Sequence, residues 1–268
     1  TNGGVAGILG TPPFVLGWDV AGVVEQIGGG VHTLEVGDEV FGMPWFPRAA
    51  SAYAEYVTAP SRQFAKKPAN FSYAEAAAVP LAGLTAWQIL TAAADVQAGQ
   101  RVLITAAAGG VGHLAVQFAK ALGAHVTGTA SAGKHEWLRE LGADELVDYH
   151  STAVDEVVAD IDVVVDLIGS ETTLNQAIKV LKPSGRLIAV PSGTSADLVS
   201  KAKAAGVHAT GFLVEPDGHA LGEIARLIEA GKVRVEVEQV YPLADAAKAH
   251  ERMESGRTRG KLVLDTTL

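Results

Sequence analysis

Ala107, Gly109 and Gly112 stand at the three spaced positions of a G-x-G-x-x-G turn, with alanine in the first. Before them Val102 to Thr105 is a short β-branched and aliphatic run. After them, through Lys120, apolar residues recur at helical spacing. A strand, a small-residue turn and a helix in that order can bind a pyrophosphate. Small residues let backbone N–H groups approach the anion and let the helix pack on the strand. The helix N-terminus adds orphan donors and a partial positive charge. An ordinary strand–turn–helix is the bland alternative, and the strand–helix units downstream favour the dinucleotide site.

In a dinucleotide fold an acidic residue near the end of the second strand, about twenty residues past the glycines, holds the ribose 2′-OH of NAD. The corresponding stretch here, Gly128 to Lys134, reads GTASAGK and contains no carboxylate. Ser131, two residues beyond Thr129, can donate to a 2′-phosphate, and Lys134 can neutralise it. The pattern therefore predicts NADP(H). A helix N-cap for Ser131 and a solvated lysine for Lys134 are the competing readings. Tyr149, at the end of the third strand, offers a further hydroxyl to the same place.

The elements that must position these residues are legible in order. Val15–Ile27 and Val31–Met43 read as short strands broken by glycines, with a turn at Gly37-Asp38, and Ser51–Thr58 alternates like a strand. Strands at this spacing indicate a small β-barrel. From Ser72 the character changes: Ser72 with Glu75 three residues on is a capping-box pattern, Pro80 interrupts the helix, and a second helix is expected after Gly83. Strands are then expected at 125–128, 145–148, 162–166, 186–190 and 207–212. They alternate with helices at 134–141, 152–158, 172–181, 197–204 and 219–230, which makes a doubly wound parallel sheet. The tail reads as a strand (235–240), a helix (244–255) and a last strand (261–265) that returns to the first domain.

Composition bounds the function. At 268 residues the chain is long enough for about two domains. A net charge of −9 argues against nucleic acid as a partner. There is no cysteine, which excludes disulfides, thiol nucleophiles and thiolate zinc sites and fits a reducing cytoplasm. The uncharged runs Ala76–Ala94 and Val102–Ala119 are interrupted by Pro80, Gly83, Gln88, the glycine turn, His113 and Gln117. They read as buried elements rather than membrane spans. The eight histidines show no metal-ligand spacing and are expected at the surface or at helix ends. No signal peptide is visible, and the chain opens on Thr1, so its native N-terminus is expected further upstream.

The motif GQ-x2-L-x3-AAGGVG-x4-Q-x2-K, from Gly99 to Lys120, resembles the signature of the quinone oxidoreductase (zeta-crystallin-like) branch of the medium-chain dehydrogenase/reductase superfamily. The segments PFVLGWDVAGVVEQIGGGVHTLEVGDEVFG, AYAEYV, PLAGLTAW, GTAS, LGADELVDY and RTRGKLVL follow in the order of that family. The resemblance implies an α/β fold in two parts. One is a GroES-like β-barrel domain over 1–78 and 236–268, expected to be N-terminally incomplete because the family's first strands precede residue 1. The other is a Rossmann NADP-binding domain over 79–235, with the active site in the cleft between. It implies hydride transfer from NADPH to a quinone or an α,β-unsaturated carbonyl, in a homodimer joined through the sheet edge around Val207–Phe212. It places Thr85 by the nicotinamide, Gly110 and Val111 on the pyrophosphate, Gly169, Pro191 and Ser192 at strand ends beside the cofactor, Phe212 and Val214 near the carboxamide, and Lys261 toward the pyrophosphate or in solvent. An enoyl-thioester reductase and a non-catalytic NADPH-binding protein are the alternatives.

The departures are informative. Where zinc-dependent relatives carry a GHE motif, this chain has Gly17-Trp18-Asp19, and indole offers no lone pair to a metal, so no metal is expected. Without a Lewis acid the chemistry should suit acceptors that are already activated. Among the aromatic residues Tyr53 is the candidate for a pocket residue or proton donor, with core packing as its alternative.

Overall fold

A computed structural model describes residues 9–190 and 196–268. The chain divides into two compact units, Thr1–Leu84 with Val214–Leu268, and Thr85–Leu213. The expected boundaries, 78/79 and 235/236, differ from these mainly at the second crossing.

The first unit opens with an antiparallel sheet of β1 (Val20–Val23), β2 (Glu39–Gly42) and β3 (Phe64–Lys66). Residues 51–58, expected as a strand, form no regular ladder. Only isolated bonds join them to the chain before β1: Tyr53 N–H to the Leu16 carbonyl (2.9 Å) and Ala52 N–H to that of Gly17 (3.2 Å). The reason lies at Gly17, whose φ is 99° and where a Cβ would stand 2.5 Å from the Tyr53 ring. Backbone turned left-handed under an aromatic ring cannot continue a pleated ladder.

Helix α1 (Tyr73–Ala77) starts from the expected capping box: Ser72 Oγ accepts the Glu75 N–H, and the Glu75 carboxylate accepts the Ser72 N–H at 2.8 Å. Helix α2 (Pro80–Gln88) begins at Pro80 and runs through Gly83, not after it. Proline is tolerated in a first turn, where its missing N–H has no helical partner. A π-helical turn, Ile89–Ala93, closes this segment.

In the second unit strands and helices alternate: β4 (Arg101–Ile104), α3 (Gly112–Ala121), β5 (His125–Thr129), α4 (His135–Glu140), β6 (Glu145–Val147), α5 (Val154–Val157), β7 (Ile161–Asp166), α6 (Glu171–Val180), β8 (Leu181–Ala189), α7 (Ala196–Ala204) and β9 (His208–Gly211). Among the described residues these strands make one parallel sheet in the order β6-β5-β4-β7-β8-β9. Side chains alternate between its faces. Leu103, Val164 and Leu187 pack with Val154, Ala177 and Val180 of α5 and α6 on one face, while α3 packs on β4 and β5. Trp87 of α2 sets its ring edge-on to Phe118 of α3, with centroids 5.4 Å apart. The strand order reverses direction beside β4, which puts a switch point at the turn after that strand.

The chain then returns to the first unit. Helix α8 (Gly218–Glu229) is capped by Asp217, which accepts the N–H groups of His219 and Ala220. It packs on β3, and Asn70 Nδ2 donates to the Ile228 carbonyl at 3.1 Å, so this helix belongs with the first unit. Strands β10 (Val237–Pro242) and β11 (Lys261–Asp265) pair in parallel around α9 (Ala246–Glu254), and the last strand thus returns as expected. Among the described residues no helix is long and apolar enough to cross a membrane.

The capping box makes a direct prediction. Ser72→Ala should lower stability by about 1 kcal/mol in urea unfolding, and Ser72→Asp, which keeps an acceptor at the N-cap, should retain most of it.

Candidate dinucleotide site

The turn after β4 is built on close backbone contact. Ala106 takes φ 47°, Ala107 N–H donates to the Thr129 carbonyl of β5 at 3.0 Å, and Gly109 N–H donates back to Ala106 at 2.9 Å. At Gly112 a Cβ would lie 2.3 Å from the Ala106 oxygen and 2.7 Å from the Ala107 Cα, so only glycine lets α3 start there. Ala107 and Gly112 are buried, whereas Gly109, Gly110 and Val111 are partly open to solvent. Val111, at the N-cap, makes no side-chain cap. The first N–H groups of α3 are therefore free of capping side chains and suited to an anion.

Beside the turn, at the carboxyl ends of β4 to β7, lies a cavity of about 210 Å³ lined by Thr105, Thr129, Tyr149, Ile168, Ser170 and Thr173, among others. Ligands of open α/β sheets bind at this end. The wall formed by the β7 loop is organised by Asp166, which is fully buried. Its carboxylate accepts from the Thr105 hydroxyl (2.8 Å), the Gly169 N–H (2.8 Å) and, at longer range, the Thr173 hydroxyl (3.3 Å). Thr105 Oγ1 in turn accepts the Leu167 N–H at 2.8 Å. A buried carboxylate is tolerated only when so satisfied, and here it shapes the loop that turns at Gly169, φ 72°.

The structure brings Thr129 and Tyr149 to the cavity, with Tyr149 exposed and its ring 4.2 Å from that of His150. Ser131 and Lys134 lie just beyond β5, outside the cavity lining. Ser131 occupies an N-cap position, and its side chain makes no capping hydrogen bond there. Thr85 is buried in α2, and Phe212 extends β9 by donating to the Ala189 carbonyl at 3.1 Å. Pro191 and Ser192 lie outside the described residues. Thr105, Ile168, Ser170 and Thr173 were not singled out from the sequence; the strand-terminal threonine and the Ser170 N-cap of α6 are the signals that mark them.

Of the two places expected for the histidines, the surface or a helix end, His113 takes the second: it lies in the first turn of α3, where it is fully buried.

Tyr53, Val214 and Lys261 belong to the other unit. There Trp18 Nε1–H donates to the Arg48 carbonyl at 2.8 Å, and its ring meets Phe46 edge-on at 5.5 Å. Asp19 accepts the Leu81 N–H at 2.6 Å and lies 3.8 Å from Lys261 Nζ. Burial pushes the Asp19 carboxyl up, against the opposing pull of Lys261 and the Leu81 N–H. The Tyr53 hydroxyl meets His250 Nε2 at 3.3 Å, and burial, with the Asp19 charge, pushes its pKa up as well. Val214 is buried.

Comparison with known proteins agrees with this architecture. Residues 3–69 match the alcohol dehydrogenase GroES-like domain, and residues 141–264 match the zinc-binding dehydrogenase domain. The mitochondrial NAD(P)H oxidoreductase RTN4IP1 of Danio rerio is 33% identical over 282 residues, spanning 94% of this chain and 72% of that protein. The chloroplastic NADPH-dependent alkenal/one oxidoreductase of Arabidopsis thaliana is 33% identical over 261 residues, spanning 94% of this chain and 64% of that protein. Among solved structures, the quinone oxidoreductase from Coxiella burnetii has a TM-score of 0.88 at 38% identity, covering 94% of this chain and 80% of that one.

The zinc in one family description is not matched by donors here. The chain has no cysteine, the Trp18 indole is a donor already engaged, and among the described residues no three His, Asp or Glu side chains converge to hold a metal. A nicotinamide dinucleotide does fit: the uncapped start of α3, the approach at Gly112 and the adjoining cavity are the features it requires.

The packing at the turn can be tested by contrast. Gly112→Ala should cost about 1–3 kcal/mol through overpacking and abolish nucleotide binding. Gly109→Ala, whose Cβ would stand 3.2 Å from the Ala106 oxygen, should cost less in the same thermal and binding measurements.

Proposed function

The chain belongs to the quinone oxidoreductase branch of the medium-chain dehydrogenase/reductase superfamily, and we propose that it is an NADPH-dependent, zinc-independent reductase of quinones or α,β-unsaturated carbonyls. The observation that carries the nucleotide is the uncapped start of α3 beside a second strand whose following segment, Thr129 to Lys134, has no carboxylate. When bound, the nicotinamide supplies a hydride. The backbone N–H groups of Gly110 to Gly112, at the uncapped start of α3, hold the pyrophosphate, the Gly109 N–H being bonded to Ala106 within the turn. Thr129, Tyr149 and the Gly169 loop flank the adenosine, and Ser131 and Lys134 take the 2′-phosphate. Thr85 and Phe212 are assigned to the nicotinamide end. This assignment rests on the Thr85–Leu213 unit alone.

The acceptor class follows from the donor inventory. Among the described residues no three His, Asp or Glu side chains converge to hold a metal that would polarise an unactivated carbonyl, so the acceptor in this reading is itself electron-poor, as quinones and conjugated carbonyls are. Tyr53 is less suited to proton delivery than to packing. A general acid works best with a pKa near the working pH, and burial drives this phenol the other way. Lys261, paired with Asp19, is a structural cation in this reading. We assign the exposed edge of the six-stranded sheet, at β9, to a homodimer contact, and a cysteine-free chain suits a reducing compartment such as the cytoplasm.

Fluorescence titration tests the cofactor: NADPH should bind at least about tenfold more tightly than NADH, in line with one charge-assisted contact, and equal or tighter NADH binding would remove the 2′-phosphate assignment. NADPH oxidation tests the acceptor. It should be rapid with a benzoquinone or an enone and slow with a saturated ketone; preference for a crotonyl thioester would redirect the assignment to thioesters, and tight binding without turnover would end the enzymatic one.

A further inference from the structure

His113 uses both of its nearby donors on one atom. Its backbone N–H, at 3.1 Å, and its ring Nδ1, at 2.9 Å, both reach the carbonyl oxygen of Gly109. The backbone bond is ordinary helix geometry; the ring bond is additional. A carbonyl only accepts, so Nδ1 carries the proton. The Trp137 ring of α4 stacks against the imidazole, with centroids 6.1 Å and planes 24° apart. The ring is thus fully buried and held from two directions.

This arrangement acts on the next peptide. The Gly109–Gly110 bond is trans, and in a trans peptide the C=O and N–H point in opposite directions. A Gly109 carbonyl drawn toward His113 by two donors therefore turns the Gly110 N–H away from the buried ring. Gly110 precedes α3, so its N–H is one of the donors that the helix cannot satisfy internally, and its backbone is partly open to solvent. Glycine at both 109 and 110 would otherwise leave this peptide free to rotate.

The geometry points to His113 as a positioning residue that presets the Gly110 N–H toward the dinucleotide pyrophosphate, an inference that rests on the nucleotide site proposed above. Trp137 follows the Ser131–Lys134 segment by three residues, so the same stack joins the segment assigned to the 2′-phosphate to the turn assigned to the pyrophosphate.

Three substitutions separate the ring bond from the packing. His113→Asn keeps an N–H donor close to the Nδ1 position. His113→Gln moves its amide one carbon further out, and His113→Phe keeps an aromatic face for Trp137 without any donor. The readouts are dissociation constants for NADPH and NADH by fluorescence titration, together with the unfolding midpoint of each unliganded protein. The asparagine variant should bind both nucleotides within about twofold of the unsubstituted protein. The glutamine and phenylalanine variants should each weaken by about five- to tenfold, the worth of one hydrogen bond, and by the same factor for both nucleotides because the pyrophosphate is common to them. Ser131→Ala, as a control, should weaken NADPH alone. Should one of the three fail to fold, the other two still divide donor from packing. Unchanged affinity in the glutamine or phenylalanine variant overturns the inference, as does an asparagine variant no better than they are. Nucleotide binding by the unsubstituted protein together with such a result would remove the role of His113 and leave the cofactor assignment standing; no binding at all would remove both.

Discussion

The contact between Gly112 and the backbone of Ala106 and Ala107 is the constraint on which the second unit depends. Helix α3 begins so close to the end of β4 that one methyl group would strike a carbonyl oxygen at 2.3 Å. That closeness brings the first turn of α3 to the carboxyl end of the sheet, where strand order reverses. It also leaves the strand end without room for bulky residues, which accounts for the alanines and glycines from Ala106 to Gly112. Ala106 pays in conformation, with φ at 47°, and the bond from Ala107 N–H to the Thr129 carbonyl offsets part of that cost by extending the ladder to β5.

Two further polar centres complete the frame, one on each side of the turn. Asp166 draws Thr105, Gly169 and Thr173 onto one carboxylate, tying the end of β4 to the loop after β7 and to α6. His113 and Trp137 tie α3 to α4, and His135 Nε2 meets the Ala130 carbonyl at 3.0 Å, fixing the segment between β5 and α4. Each centre is a buried or half-buried polar side chain bonded to main-chain atoms of a loop. Such bonds are strongest away from water, and they give loops that contain few side-chain contacts of their own a single arrangement.

The parallel sheet was legible in the sequence because its central strands β4 and β7 are rich in Val, Leu and Ile and amphipathic helices alternate with the strands. The two periodicities separate cleanly, and Lys261–Asp265 is a strand over the expected residues. The first unit was harder to read. Residues 51–58 alternate in the manner of a strand, but alternation reports burial, not a hydrogen-bonded neighbour, and Gly17 under Tyr53 breaks the neighbour's ladder. The interruption expected at Pro80 is present, but the second helix starts at Pro80 itself rather than after Gly83, since proline fits a helix's first turn. At the site, the glycines and the carboxylate-free segment carried the signal. The bonds that Thr105, Asp166 and His113 make were not legible, because they depend on which carbonyl or N–H the fold presents to them, and that information is spread over β4, β7 and α4.

Trp18 and Asp19, which stand where the family resemblance puts the GHE motif of zinc-dependent relatives, are both bound to main-chain atoms: the indole N–H donates to the Arg48 carbonyl, and the carboxylate accepts the Leu81 N–H. Burial raises the pKa of this carboxyl against the opposing pull of Lys261 Nζ, 3.8 Å away, and of the Leu81 N–H, and the group serves as an acceptor that ties its segment to the start of α2 and to β11. In the metal-free reading proposed above, the acceptor is itself electron-poor, and the protein's own contribution concentrates on holding the hydride donor. That division of labour places the strictest demands on the Ala106–His113 turn, where the chain is least tolerant of an added carbon and where a buried imidazole fixes a peptide between two glycines.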